Sequence, residues 1–94
     1  MAEPVYTPET AKVLDEIETD PTRVDLWNAI CDAIDLVCDQ PGSAGARRNA
    51  LRDLAGRLLW AVPVRTRTAD WLLLWRPVDD EVLIAYLGPA AFRL

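Results

Sequence analysis

No histidine occurs among the 94 residues and Ser43 is the lone serine, which removes a Ser-His-Asp triad. Neither cysteine has a histidine to activate it as a nucleophile. A zinc site without histidine would have to be completed by carboxylates, a poor match to zinc's usual ligands. Cys31 and Cys38 on one helix would lie about 10.5 Å apart along its axis, too far for a disulfide between them. They read as buried structural thiols. The four glycines form no phosphate-binding loop: Gly42-Ser43-Ala44-Gly45 lacks the strand, Lys and Thr/Ser that would support one. No cofactor is expected. No apolar run is long enough to span a bilayer, and Met1-Ala2-Glu3-Pro4 lacks the basic region of a signal peptide. These features predict a cytoplasmic protein.

What the chain does have is apolar bulk. Half of it is hydrophobic, including Trp27, Trp60, Trp71 and Trp75, so one domain over 1–94 can build its core without a metal or disulfide. Charge is divided along the chain. Residues 1–40 carry ten acids against Lys12 and Arg23, a net −8; residues 41–94 carry eight arginines against five acids, a net +3. An acidic surface and a separate basic one are expected.

The pattern predicts an α+β fold. Val5-Tyr6 reads as a short strand, and Thr7-Pro8 as a helix start, hydroxyl cap before a proline pre-set for the first helical position. Ala11, Val13, Leu14 and Ile17 form an apolar stripe to about Thr19. Asp20-Pro21 starts a second helix, in which Trp27, Ile30, Cys31, Ile34, Val37 and Cys38 repeat on one face. Asp25, Asp32 and Asp39 recur on a solvated face, and Pro41-Gly42 ends the helix. The segment from Gly42 to Gly56 reads either as a third short helix over Ala46–Ala55, with Ala50, Leu51 and Leu54 inward, or as an ordered loop.

Three strands follow as an antiparallel meander, extended by the first short strand. Leu58 to Thr66 alternates, Trp60, Val62 and Val64 against Leu59, Ala61, Pro63 and Arg65. Pro63 lacks a ladder donor, which predicts an edge strand. In the next two strands Trp71, Leu73 and Trp75 oppose Leu72 and Leu74, and Val82, Ile84 and Tyr86 oppose Leu83, Ala85 and Leu87. Asp79-Asp80-Glu81 between them reads as a solvated turn rather than a metal site. Both sides of these strands are apolar, unlike a sheet with one wet face. A helical hairpin covers one side. The other requires a partner at Leu59, Ala61, Leu72 and Leu74, or a cover made by residues 42–57 or the C-terminal tail.

The arginines are the remaining chemistry. Arg65 and Arg67 leave one strand end and Arg76 leaves the neighbouring strand, preceded by Arg47, Arg48, Arg52 and Arg57. Guanidinium groups bind phosphate, stabilise a phosphoryl-transfer transition state, pair with carboxylates of a partner, or simply balance the acidic helices.

Taken together, Val5-Tyr6-Thr7-Pro8-Glu9-Thr10-Ala11, the stretch Arg57-Leu58-Leu59-Trp60-Ala61-Val62-Pro63-Val64-Arg65, Asp70–Arg76 and Glu81–Leu87 resemble the RelE/ParE superfamily of bacterial toxins. The resemblance implies a β-α-α-β-β-β domain, a helical hairpin packed on a small antiparallel sheet. It implies a growth-inhibiting toxin of a type II toxin-antitoxin system, neutralised by an antitoxin that wraps over the sheet. RelE-like members cleave mRNA on the ribosome and ParE-like members inhibit DNA gyrase. Ala61, Pro63 and Leu72 stand where the nucleases carry basic residues, so the resemblance implies action by binding. The alternative is an endoribonuclease using Arg65, Arg67 and Arg76, with Tyr86 for proton transfer. A third reading is a non-toxic interaction module, a degenerate toxin or a homodimer.

Overall fold

A computed structural model describes residues 2–90 of the chain. The elements run β1 (Glu3–Tyr6), α1 (Pro8–Glu18), a 3-10 turn (Pro21–Arg23), α2 (Val24–Asp39), β2 (Asn49–Arg52), β3 (Leu58–Arg65), β4 (Asp70–Val78) and β5 (Glu81–Pro89). The strands form one five-stranded sheet in the order β1-β5-β4-β3-β2. Two helices pack on one of its faces, α1 against β5 and α2 against β3. The α+β class and the helical hairpin therefore stand as expected.

The helix starts follow from their caps. Thr7 accepts the amide of Thr10 and Pro8 occupies the first turn of α1. Asp20 accepts the Thr22 amide at 2.9 Å and its hydroxyl at 2.6 Å, setting the 3-10 turn that leads into α2. The Thr19 amide returns to Asp15 and closes α1. The buried line on α2 is Leu26, Ile30, Ala33 and Val37, with Cys38 beside it. This is a rotation from the expected stripe: Trp27, Cys31 and Ile34 flank the line half-buried, and Asp25, Asp32 and Asp39 are exposed as predicted.

Four expectations for the sheet are corrected. The sheet is mixed, not antiparallel, because β1 pairs with β5 in parallel. The segment 46–55 is not a helix: Asn49–Arg52 is a fourth antiparallel strand, paired with Leu58–Ala61. Asp53 drives that hairpin. Its carboxylate accepts the amides of Ala55 and Arg57, each at 2.9 Å, and Gly56 takes a φ of 82° that a side chain would resist. Ala50 and Leu54, expected inward, are exposed.

The third correction concerns Pro63. β3 is an interior strand, but β2 stops opposite Ala61, so no ladder partner stands on the β2 side of Pro63. The fourth concerns Tyr86. Leu74 pairs with Tyr86 while Trp75 pairs with Ile84, so Ala85 is an extra residue in β5. Such a bulge changes the facing of every residue beyond it. Leu87 accordingly joins Val82 and Ile84 in the helix-side core, and Tyr86 crosses to the other face.

The core between helices and sheet gathers Leu14, Ile17, Ile30, Val37, Val62, Val64, Leu73, Trp75, Val82, Ile84 and Leu87. Each such aliphatic or aromatic side chain contributes about 1.5–3 kcal/mol by leaving water. The one buried polar side chain among the described residues, Thr10, accepts the hydroxyl of Thr7 at 2.8 Å.

Candidate functional site

The face turned away from the helices is built by the alternate residues of all five strands. It carries Leu59, Ala61 and Pro63 of β3, Leu72, Leu74 and Arg76 of β4, and Leu83 and Tyr86 of β5. β1 adds Val5, opposite Leu83, and β2 adds Leu51, opposite Leu59. The four residues expected to bind a partner thus do share one face. Leu59, Ala61 and Leu72 are buried yet stand apart from the helix-side core. Leu74 is half-buried. The area within reach of a partner is supplied mainly by Leu74, Leu83, Leu51 and Pro63, with Val5 and Tyr86 the most open at 38% and 41%.

Residues 42–57 do not cover this face. Ala46 is fully buried in the helix-side core, and its carbonyl accepts the indole N–H of Trp75 at 2.7 Å. The Arg47 guanidinium lies over the rings of Trp60 and Trp75, 5.3 and 5.9 Å from their centroids. That cation–π stack and the bond from Arg47 Nε to the Pro41 carbonyl fix the loop on the helix side. Residues 49–57 extend the sheet sideways instead. The expected cover by the tail falls on residues 91–94, outside the described residues.

The four candidate catalytic residues do not converge. Arg76 is six residues along β4 from Asp70, about 20 Å at the rise of a strand. It sits with Val5, Val78, Glu81 and Leu83 around a small apolar hollow of about 140 Å³. At the opposite end, Arg65 Nε bonds Asp70 Oδ1 at 3.1 Å, and Arg67 lies in the following turn. Tyr86 points along β5 toward that end, its hydroxyl donating to the Pro89 carbonyl at 3.2 Å. A Cβ built on Gly88 would meet that hydroxyl at 2.6 Å, so the ring lies against bare backbone. Arg65, Arg67 and Tyr86 share one end of the sheet; Arg76 is separate. Arg65 and the Tyr86 hydroxyl are already engaged within the chain.

Other chemistry is sparse. Burial, followed by nearby aspartates, pushes the thiols of Cys31 and Cys38 above the usual cysteine range, which keeps them protonated and poorly nucleophilic. Burial likewise raises Tyr6. A cleft of about 420 Å³ between the start of α2 and the β3–β4 turn is lined by Arg23, Asp25, Thr66, Thr68, Asp70 and Trp71 among others. Its Arg23 pairs with Asp20 and its Asp70 with Arg65, so it presents no concentrated charge. No group of three metal-ligating side chains occurs among the described residues, and no helix is long and apolar enough to cross a membrane.

Sequence reasoning missed Val5 and Leu51 as members of the far face. Leu51 was obscured because a four-residue strand is too short to show its period, and Val5 because its neighbour, β5, is distant in sequence. Comparison with known proteins returns no matching family model, no matching curated protein and no matching solved structure.

Proposed function

We propose that this chain is a toxin-like protein of a type II toxin-antitoxin pair, acting by binding a macromolecular target and held inactive by an antitoxin laid over the far face of its sheet. The observation that carries this reading is the apolar second face, over which neither helix nor the 40–57 segment passes. On that face Val5 and Tyr86 are open and Leu51, Pro63, Leu74 and Leu83 are half-buried, and exposed apolar patches mark interaction sites. Apolar surface removed from water contributes about 25 cal/mol per Å² toward association before entropic costs. A strand and a helical hairpin ahead of the β3–β5 meander support this reading, with β2 an addition to the expected β-α-α-β-β-β order. Binding is favoured over RNA cleavage because Arg76 stands apart from Arg65 and Arg67, and Asp70 neutralises Arg65.

Induced expression in a bacterial host tests the proposal. Growth arrest, relieved by co-expression of the product of an adjacent small reading frame that co-purifies with the chain, is the expected result. Unchanged growth with folded protein favours a non-toxic module or homodimer. Arrest accompanied by mRNA cleavage that is lost in Arg65→Ala/Arg67→Ala favours the endoribonuclease.

A further inference from the structure

The two lateral edges of the sheet are protected differently. β1, at one edge, carries Pro4, which has no amide to offer, and Glu3. β2, at the other, contains no proline, and one side of its backbone has no ladder partner. Around it the charge is mostly positive. Residues 41–57 hold Arg47, Arg48, Arg52 and Arg57 against Asp53 alone, a net +3, and all four arginines are exposed. Asp53 is taken by Arg57 at 3.0 Å. Arg47, Arg48 and Arg52 form no salt bridge among the described residues. Leu54 at the hairpin tip is fully exposed, and Leu58 is 40% exposed beside Arg52 on the paired strand.

We propose that this margin binds an acidic segment of a partner protein, which adds to β2 as a further antiparallel or parallel strand. Free amides and carbonyls of an edge strand supply the main-chain bonds of such an addition, and side chains supply selection. Arg52 closes β2 and Arg48 immediately precedes it, so carboxylates near both ends of an incoming strand face the two arginines. Exposed Leu54 and Leu58 add apolar contact at the hairpin end.

A second copy of the chain is disfavoured, because pairing two such edges sets arginines against arginines. A nucleic acid gains the arginines but not the edge: phosphates leave the strand amides and carbonyls without a ladder and do not reward the two leucines. The net −8 of residues 1–40 further repels a long polyanion. The proposal does not depend on a toxin role, which the growth assay decides separately.

The test is a titration of the isotope-labelled full chain, followed by amide resonances, with a peptide of four Val-Glu repeats. Its lysine counterpart, four Val-Lys repeats, and an oligouridylate of eight nucleotides are the comparisons. Saturable shifts centred on Asn49–Arg52 with the acidic peptide at up to roughly millimolar concentration, absent with the basic one, are expected. Arg48→Glu/Arg52→Glu should weaken binding at least about tenfold, as should Arg48→Glu alone in part, with the rest of the spectrum unchanged. Salt at about 0.5 M should weaken it several-fold, since exposed charges are screened there. No saturable shift at Asn49–Arg52, equal binding of the basic peptide, or tighter binding of the oligouridylate would each overturn the proposal, the last in favour of a nucleic-acid surface.

Discussion

The two faces of one sheet differ in who covers them. On the helix face, Leu73, Trp75 and Ile84 retain no exposure, and the 40–48 loop adds Ala46 and Arg47 over the tryptophans. On the far face Leu59, Ala61 and Leu72 are sunk, but Val5, Leu74, Leu83 and Tyr86 remain open to contact. Equal hydrophobicity in the sequence therefore leads to unequal dependence on the chain's own packing. Truncation on the helix face should be costly to folding, whereas polar replacement of the open far-face residues should affect binding before stability. Trp75→Ala gives the largest effect, about 3–5 kcal/mol, since it empties a ring-sized volume in a packed core. For a domain of this length that lowers Tm by at least about 12 °C in thermal denaturation. Trp75→Phe keeps most of the volume but leaves the Ala46 carbonyl without its donor, so a smaller loss of about 1–3 kcal/mol is expected.

Leu74→Thr probes the opposite face. Its side chain is half-buried, and threonine is a good strand residue, so the stability loss should stay under about 1.5 kcal/mol. Affinity for a co-purifying partner should fall by at least tenfold, as measured by calorimetry. A Leu74 variant as unstable as Trp75→Ala would show that the far face is part of the folding core after all. Gly88→Ala is milder still. The new methyl would collide with the end of the Tyr86 side chain, which can rotate away, losing the bond to Pro89. About 1 kcal/mol is expected, with Tyr86 ring resonances shifted.

Legibility in the sequence followed the length of the repeating pattern. The Thr7-Pro8 and Asp20-Pro21 starts were readable because each pairs a capping side chain with a proline in the first turn. The alternation of Trp60, Val62 and Val64 was readable because eight residues display a two-residue period clearly. β2 was not: Ala50, Leu51 and Leu54 fit a helical spacing equally well, and what decides for a strand is the hairpin closed by Asp53. The crossing of Tyr86 was invisible, because a bulge is fixed by pairing with β4 and leaves uninterrupted apolar residues on β5. Of the four candidate catalytic residues only Arg76 falls away from the others, since the length of β4 separates it from Arg65.

The β2–β3 hairpin offers the subtlest test, because it alone brings Leu51 to the far face. The hydrogen bond from the Arg57 amide, opposed by burial, holds the Asp53 carboxyl below the ordinary aspartate range, with the Arg57 guanidinium and the Ala55 amide adding to it. A carboxyl whose folded value is depressed stabilises the fold fully above the unfolded value and loses that contribution as pH falls through the folded one. The hairpin should therefore keep its geometry at neutral pH and loosen only under acid conditions below the ordinary aspartate range. The amides of Ala55 and Arg57 report this directly: their resonances should titrate together with a midpoint below that of an unperturbed aspartate. In Asp53→Ala the titration disappears and Leu51 contacts on the far face weaken, while Leu73 and Ile84 on the helix face keep their chemical shifts. Loss of the helix-face shifts in that variant would mean that β2 supports both faces, and the two could no longer be treated as separable.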